Sequence, residues 1–399
     1  MAPHEVAWES DSESLWEANS YTPSTASIQA LKRALRLNHP PGPAGAPSWV
    51  SPGPRAIDSH DRDEIADRSV LQLTLSDLLE IEEAVAYFNG THLPLSRLQA
   101  DCFPLPTLSA RIRQRSLALP GEQPYFLVRG LKPQWYGKRT SVVIFLGIAS
   151  HVGTKRAMAK GDATVLHHVT NIELPSEGPD QPYRGPANRS MAIPFHTDSG
   201  AILSLYTLSV PPAGGAFYLA DIHDVVARIR ATRPELLETL QNDWIMTDPG
   251  SSKGYEERPL LFTLPSDRLA VHVSRTRLCN GFRRRPSALP PLSVRQVQAL
   301  DALHAVGQET ARRFEFRSGD MLFFNNLRMM HARDAFVDGC EGQNTTRRYL
   351  LRLLLQDEQN DRWEVPPELD AMWDELYNHD DAEEIIPIHE SLFSFKASH

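Results

Sequence analysis

The stretch 193-IPFHTDSGAILSLYTL-208 sets an imidazole and a carboxylate, His196 and Asp198, two residues apart at the entrance to 202-ILSLYTLSV-210, a run that reads as a buried strand. On an extended backbone, residues two apart share a face, and a bend near Asp198 lets both side chains reach one ion. Taken alone, the pair fits turn and capping hydrogen bonds equally well. Whether these water-loving groups serve a metal or a turn depends on what the rest of the chain brings to them.

The surrounding pattern is strand-rich. The runs 125-YFLVRGL-131, 164-TVLHHVTNI-172, 216-AFYLAD-221, 269-LAVHV-273, 321-MLFFN-325 and 348-RYLLRLLLQD-357 are short, apolar or alternating, and bounded by Pro, Gly and Asp. Helical periodicity appears in 74-TLSDLLEIEEAVAYFNG-90, where Ser76 is the expected N-cap and Gly90 the expected close. It recurs in 222-IHDVVARIRATRPELLETL-240 and, behind a Ser293 cap, in 293-SVRQVQALDALHAVGQETARRF-314. The fold class is therefore mainly β with peripheral α-helices.

Residues 1–60 are rich in Pro, Ser, Ala and His and read as a flexible or lid-like arm. Residues 61–357 form the folded domain, and 358–399 an acidic C-terminal extension. From residue 357 onward thirteen Asp or Glu stand against two Arg or Lys, around an amphipathic segment, 368-ELDAMWDELYNH-379, that is expected to pack on the body or end in a solvated extension.

Two further features bear on His196 and Asp198. In 318-SGDMLFFNNLRMMHARDAF-336, a turn feeds a strand, and His331 follows among apolar neighbours, as a ligand or as a satisfied core histidine. In 348-RYLLRLLLQD-357, alternation puts Arg348 and Arg352 on one face with Leu350 and Leu354, and both faces are mostly apolar, as in a central strand. Arginine is rarely buried without an anion, and an unpaired buried charge is strongly unfavourable. A bound carboxylate ligand is the economical partner, with ion pairs to distant Asp or Glu as the alternative. Two His and one carboxylate on a metal with open positions make the facial triad of non-haem Fe(II) oxygenases.

Composition narrows the field. The chain has 399 residues, 41% hydrophobic and 23% charged, with a formal charge of -9, which argues against partners recognised through a basic surface, namely nucleic acid and anionic membrane. No apolar run is long enough to span a bilayer, and the acidic start does not resemble a secretory signal, so a cytoplasmic location is expected. Cys102, Cys279 and Cys340 are far apart with no CxxC, against a disulfide scaffold or a zinc-thiolate site. The arginine-rich 275-RTRLCNGFRRRP-286 reads as a solvated or ion-paired loop rather than a phosphate site, and His167 and His168 as wall or core residues. The oligomeric state is left open, a homodimer included.

Over most of residues 120–357 the sequence resembles the taurine dioxygenase / clavaminate synthase-like family of Fe(II), 2-oxoglutarate-dependent oxygenases. The resemblance is carried by 193-IPFHTDSG-200, 211-PPAGGAFYLA-220, 316-FRSGDMLFFNNLRMMHARDAF-336 and 347-RRYLLRLLLQD-357. It implies a double-stranded β-helix, a cupin-like jelly roll. It also implies His196, Asp198 and His331 as iron ligands, Arg348 as the clamp for the distal carboxylate of 2-oxoglutarate, and Arg352 at a position serving the cosubstrate or an anionic substrate. The expected activity is oxidation of a small organic molecule with O2 and 2-oxoglutarate, by hydroxylation, desaturation or a related C–H oxidation, releasing succinate and CO2. A non-catalytic jelly-roll binding protein that keeps the metal site is the alternative. Its motive is Phe217, which stands where many relatives carry a Thr or Ser that helps hold 2-oxoglutarate. Thr207 or Tyr218 is the expected substitute hydroxyl.

Overall fold

A computed structural model describes residues 68–158, 163–172, 185–248, 251–279, 289–339, 346–378 and 383–389. The arm expected over residues 1–60 lies outside the described residues, as does Cys340. Eleven strands carry the architecture: β1 (Val70–Gln72), β2 (Tyr125–Arg129), β3 (Lys155–Arg156), β4 (His167–Thr170), β5 (Ile193–His196), β6 (Ile202–Ser209), β7 (Phe217–Asp221), β8 (Arg312–Phe314), β9 (Met321–Asn325), β10 (Met329–Arg333) and β11 (Tyr349–Gln356). The larger sheet runs β1-β2-β9-β6-β11-β3, with β4 also paired to β11, and the smaller runs β8-β7-β10-β5. Every pairing in the two sheets is antiparallel except β1 with β2.

Register decides which residues face which layer. Leu350, Arg352 and Leu354 of β11 oppose Thr207, Leu205 and Leu203 of β6, so these side chains share one face of the larger sheet. That face meets the smaller sheet: the Phe217 ring of β7 lies 6.2 Å from the Phe324 ring of β9. The two sheets close as the jelly roll that the resemblance implies. The opposite face, with Tyr206 and Phe323, is covered by helices.

The helices are α1 (Leu75–Thr91), α2 (Leu108–Ala118), α3 (Lys138–Ser150), α4 (Ile222–Thr232), α5 (Glu235–Gln241), α6 (Arg275–Leu278), α7 (Val294–Thr310) and α8 (Asp370–Tyr377). Helix α3 backs the larger sheet, with Phe145 5.6 Å from Tyr206, and every residue from Ser141 to Ser150 is buried. Helices α4, α5 and α7 back the smaller sheet in a second apolar cluster that joins Val225, Leu236 and Leu303 to Phe195 of β5. Gly307 makes that approach feasible, because a Cβ there would stand 2.9 Å from the Phe195 ring.

Three local expectations are corrected. Helix α1 is capped by Thr74 in a capping box with Asp77, not by Ser76, and closes on His92 in the left-handed region (φ 57°), not on Gly90. The single helix expected over 222–240 is two, because Pro234 holds Arg233 out of the helical region (φ -143°, ψ 62°). The segment 293–314 stops as a helix at Thr310 and continues as β8, while its Ser293 cap is present with Gln296. In the acidic segment, α8 packs on the body: Tyr377 is buried, its hydroxyl donating to the Leu355 carbonyl and accepting from the Ala201 amide.

Candidate active site

The smaller sheet brings the two histidines together. His196 ends β5 directly opposite His331 on β10, and their rings lie 4.0 Å apart at 44°. Beyond His196 the chain leaves the sheet, and Gly200, with φ +142°, turns it into β6. Asn326 holds the turn. Its Oδ1 accepts from the Asp198 amide at 3.1 Å, while its Nδ2 donates to the carbonyls of Asp198 (2.5 Å) and Gly200 (2.9 Å). Asn325 caps the neighbouring turn by accepting from the Leu327 and Arg328 amides.

With the turn so fixed, one ligand atom each from His196, Asp198 and His331 lies within 4.8 Å of the others. His196 Nε2 is 3.8 Å from Asp198 Oδ1. His196 Nδ1 sits 2.9 Å from the Pro194 carbonyl, which only accepts, so Nδ1 carries the proton and Nε2 keeps its lone pair. His331 Nδ1 is buried with no hydrogen-bond partner. Burial holds the pKa of His196 below the usual histidine value, and burial together with His196 holds that of His331 well below it. Both imidazoles are therefore neutral near pH 7, the form that binds a metal.

The two arginines of the β11 segment part company. Arg352 joins the cluster, its Nη1 donating to Asp198 Oδ2 at 2.7 Å, while its Nε is buried without a partner. Arg348 lies elsewhere: its guanidinium stands 5.3 Å from the centre of the Phe336 ring, and its Cδ would be 3.9 Å from a Cβ on Gly215. Its Nη1 has no partner, and burial, reinforced by Arg333, lowers its pKa well below the usual arginine value.

Phe217 forms an aromatic wall with His331 (5.7 Å), Phe316 (5.3 Å) and Phe324. Of the two hydroxyls expected to stand in for the one it lacks, that of Tyr218 is committed to Asp334 at 2.7 Å. The Thr207 hydroxyl is buried without a partner, on the face of the larger sheet that also bears Arg352. His168 is a core residue, bonded to the Tyr349 hydroxyl at 2.6 Å and the Pro387 carbonyl at 2.8 Å. In the arginine-rich segment, Arg275 pairs with Asp301 and Arg277 with Glu256, an ion-paired element as expected; Arg283, Arg284 and Arg285 lie outside the described residues. Ser274 and the first two residues of that segment, Arg275 and Thr276, line one cavity with His196, Asp198 and Arg352, a position that the sequence reading did not give them.

Comparison with known proteins agrees with this geometry. Residues 91–354 match the family described as taurine catabolism dioxygenase TauD, TfdA family. A taurine hydroxylase-like protein from Stachybotrys chartarum, SAT17, is 34% identical over 318 residues, covering 79% of this chain and 82% of that protein. Among solved structures, an asparagine oxygenase bound to Fe(II), 3-hydroxyasparagine and succinate aligns over 75% of this chain and 98% of its own, with a TM-score of 0.54 at 18% identity. The non-heme iron oxygenase OrfP, in complex with Fe and alpha-ketoglutaric acid, aligns over 72% of this chain and 94% of its own, with a TM-score of 0.51 at 17% identity.

Proposed function

This chain belongs to the TauD/TfdA family of dioxygenases, an oxidoreductase that uses Fe(II) and 2-oxoglutarate, and we propose that it oxidises a C–H bond of a small organic substrate at the His196, Asp198 and His331 cluster. The observation that carries the reading is the convergence of two neutral imidazoles and one carboxylate on a common point, with the second carboxylate oxygen already held by Arg352. Such a set fits Fe(II): the donors are nitrogen and oxygen, the histidines need lose no proton, and the carboxylate cannot swing away. Bound there, Fe(II) and 2-oxoglutarate supply the oxidising chemistry, with release of succinate and CO2.

The protein's own groups orient and exclude. Arg348 receives the distal carboxylate of 2-oxoglutarate, since its buried Nη1 needs an acceptor and a carboxylate supplies one. Thr207 adds a neutral hydrogen bond in place of the hydroxyl that Phe217 lacks. Phe217 and Phe324, both buried against His331, keep water from that side of the metal. Anaerobic addition of Fe(II) and 2-oxoglutarate should produce the visible charge-transfer band of the chelate, and O2 should then release succinate. A chelate band that survives the His331→Ala change would remove that residue from the ligand set.

A further inference from the structure

Helix α8 lies beyond the residues that match the family, yet it reaches the turn that carries Asp198. Leu369, Trp373 and Tyr377 recur at the spacing of one helix face, and all three are buried, while Asp370, Asp374 and Glu375 stay exposed. The Met158 amide donates to the Leu376 carbonyl at 2.9 Å and Lys155 Nζ to Asn378 Oδ1 at 3.1 Å, so the last turn of α8 is held to the chain at β3.

The Tyr377 hydroxyl uses both its donor and its acceptor. It accepts from the Ala201 amide at 3.2 Å and donates to the Leu355 carbonyl at 3.1 Å. Ala201 lies on the segment that leaves Asp198, and Leu355 on the strand that carries Arg352. One hydroxyl thus ties together the two segments whose side chains form the Asp198–Arg352 pair. Gly200 leaves room for it, since a Cβ there would stand 2.8 Å from the hydroxyl oxygen. Other groups of the turn are taken by Asn326: its side chain holds the Asp198 amide and the Asp198 and Gly200 carbonyls, and its amide donates to the Ala201 carbonyl at 2.9 Å. The Ala201 amide is left to Tyr377. Burial raises the pKa of the phenol, so it keeps the proton that it donates.

We propose that Tyr377 is a positioning residue for the metal centre. By joining the Ala201 amide to the Leu355 carbonyl it fixes where Asp198 stands relative to His196 and His331, and so makes metal affinity depend on the docking of α8. The proposal deepens the dioxygenase reading and rests on it for the identity of the metal, not for the hold on the turn. Removing the hydroxyl strands an amide on a residue that is 2% exposed, and the turn must shift to satisfy it.

Tyr377→Phe keeps the ring, 6.2 Å from that of Trp373, and removes only the hydroxyl. Anaerobic calorimetry on the metal-free variant should show Fe(II) binding weakened about tenfold, the scale on which groups that orient a ligand act. Amide exchange over residues 198–201, followed by mass spectrometry without metal, should quicken. Ile81→Val, which thins the packing of α1, supplies the comparison: its melting temperature should drop while Fe(II) affinity and exchange over 198–201 stay at the wild-type level. Because coupling is reciprocal, Fe(II) added to the wild-type protein should slow exchange over 370–378, a measurement that stands even if Tyr377→Phe does not fold. Wild-type Fe(II) affinity or unchanged exchange over 198–201 in Tyr377→Phe, an equal loss of affinity in Ile81→Val, or exchange over 370–378 that ignores Fe(II) overturns the proposal. If the wild-type protein binds no Fe(II), the oxygenase reading falls, and exchange over 198–201 in Tyr377→Phe then decides by itself whether Tyr377 holds the turn.

Discussion

The two arginines of the β11 segment lie four residues apart on one chain, yet they meet opposite circumstances. Arg352 has a carboxylate at 2.7 Å, and that carboxylate is Asp198, whose backbone is pinned by Asn326 and whose neighbour Thr197 is stitched to Val273. Arg348 has an aromatic face, a depressed pKa and a terminal nitrogen with no acceptor, and a buried hydroxyl without a partner, that of Thr207, lies on the adjoining strand. In one region the charge is met by a carboxylate of the protein itself, so changing it should damage structure and metal binding together. In the other, the guanidinium and the Thr207 hydroxyl hold no hydrogen bond that a substitution would break, so changing it should damage ligand binding more than the fold.

The largest expected effect lies in the complete region. Asp198→Ala should abolish turnover and also destabilise the metal-free protein by about 3–5 kcal/mol, because Arg352 is left as a buried unpaired charge. His331→Ala should abolish turnover at a smaller loss of stability, since no charged partner is stranded. Thermal melts of the two metal-free variants check this, and equal losses would erase the distinction. Next in size, Arg348→Leu should weaken 2-oxoglutarate binding by about 2–4 kcal/mol. Its melting temperature should fall far less than that of Asp198→Ala, because the guanidinium holds no side-chain hydrogen bond to break and the backbone amide of residue 348 still donates to Asp338.

Thr207→Val is smaller still: roughly tenfold weaker 2-oxoglutarate binding, about 1.4 kcal/mol, with no loss of stability, since the hydroxyl makes no bond within the protein. Unchanged affinity would leave Arg348 without that helper.

The smallest effect is one of pH. His272 is buried, its Nδ1 receives the Arg258 guanidinium, and burial followed by Arg258 places its pKa well below the ordinary value. A histidine whose pKa falls on folding takes up protons more readily when unfolded. Its stabilising contribution is complete above the unfolded pKa of about 6.5 and is lost as pH falls below it, by at most about 1.4 kcal/mol per pH unit. Melting temperatures between pH 7 and pH 5.5 should therefore drop, and drop less in His272→Gln.

What the sequence disclosed follows from what each region needs. Strands half-covered by one sheet and half by helices must alternate or stay apolar, so 125-YFLVRGL-131, 202-ILSLYTLSV-210 and 348-RYLLRLLLQD-357 were legible, and with them the cluster residues that interrupt or end such runs. Helix α3 was not, because a helix buried on every side, as 141-SVVIFLGIAS-150 is, carries no polar stripe to reveal its period. The break at Arg233 was written in Pro234 and missed. The pairings that distinguish the arginines were beyond periodicity: Asp198 and Arg352 are 154 residues apart, and Arg275 and Asp301 are 26 apart on separate elements. Such partners are set by how the sheets and α7 dock, which alternation along one strand does not encode.

The central claim is that the two arginines divide the work, and the most direct test is to measure Fe(II) affinity and 2-oxoglutarate affinity side by side on Arg348→Leu and Arg352→Leu. Arg348→Leu should keep wild-type Fe(II) affinity and lose 2-oxoglutarate, whereas Arg352→Leu, with Asp198 released, should lose Fe(II) affinity first. Equal losses of both ligands in both variants would contradict it.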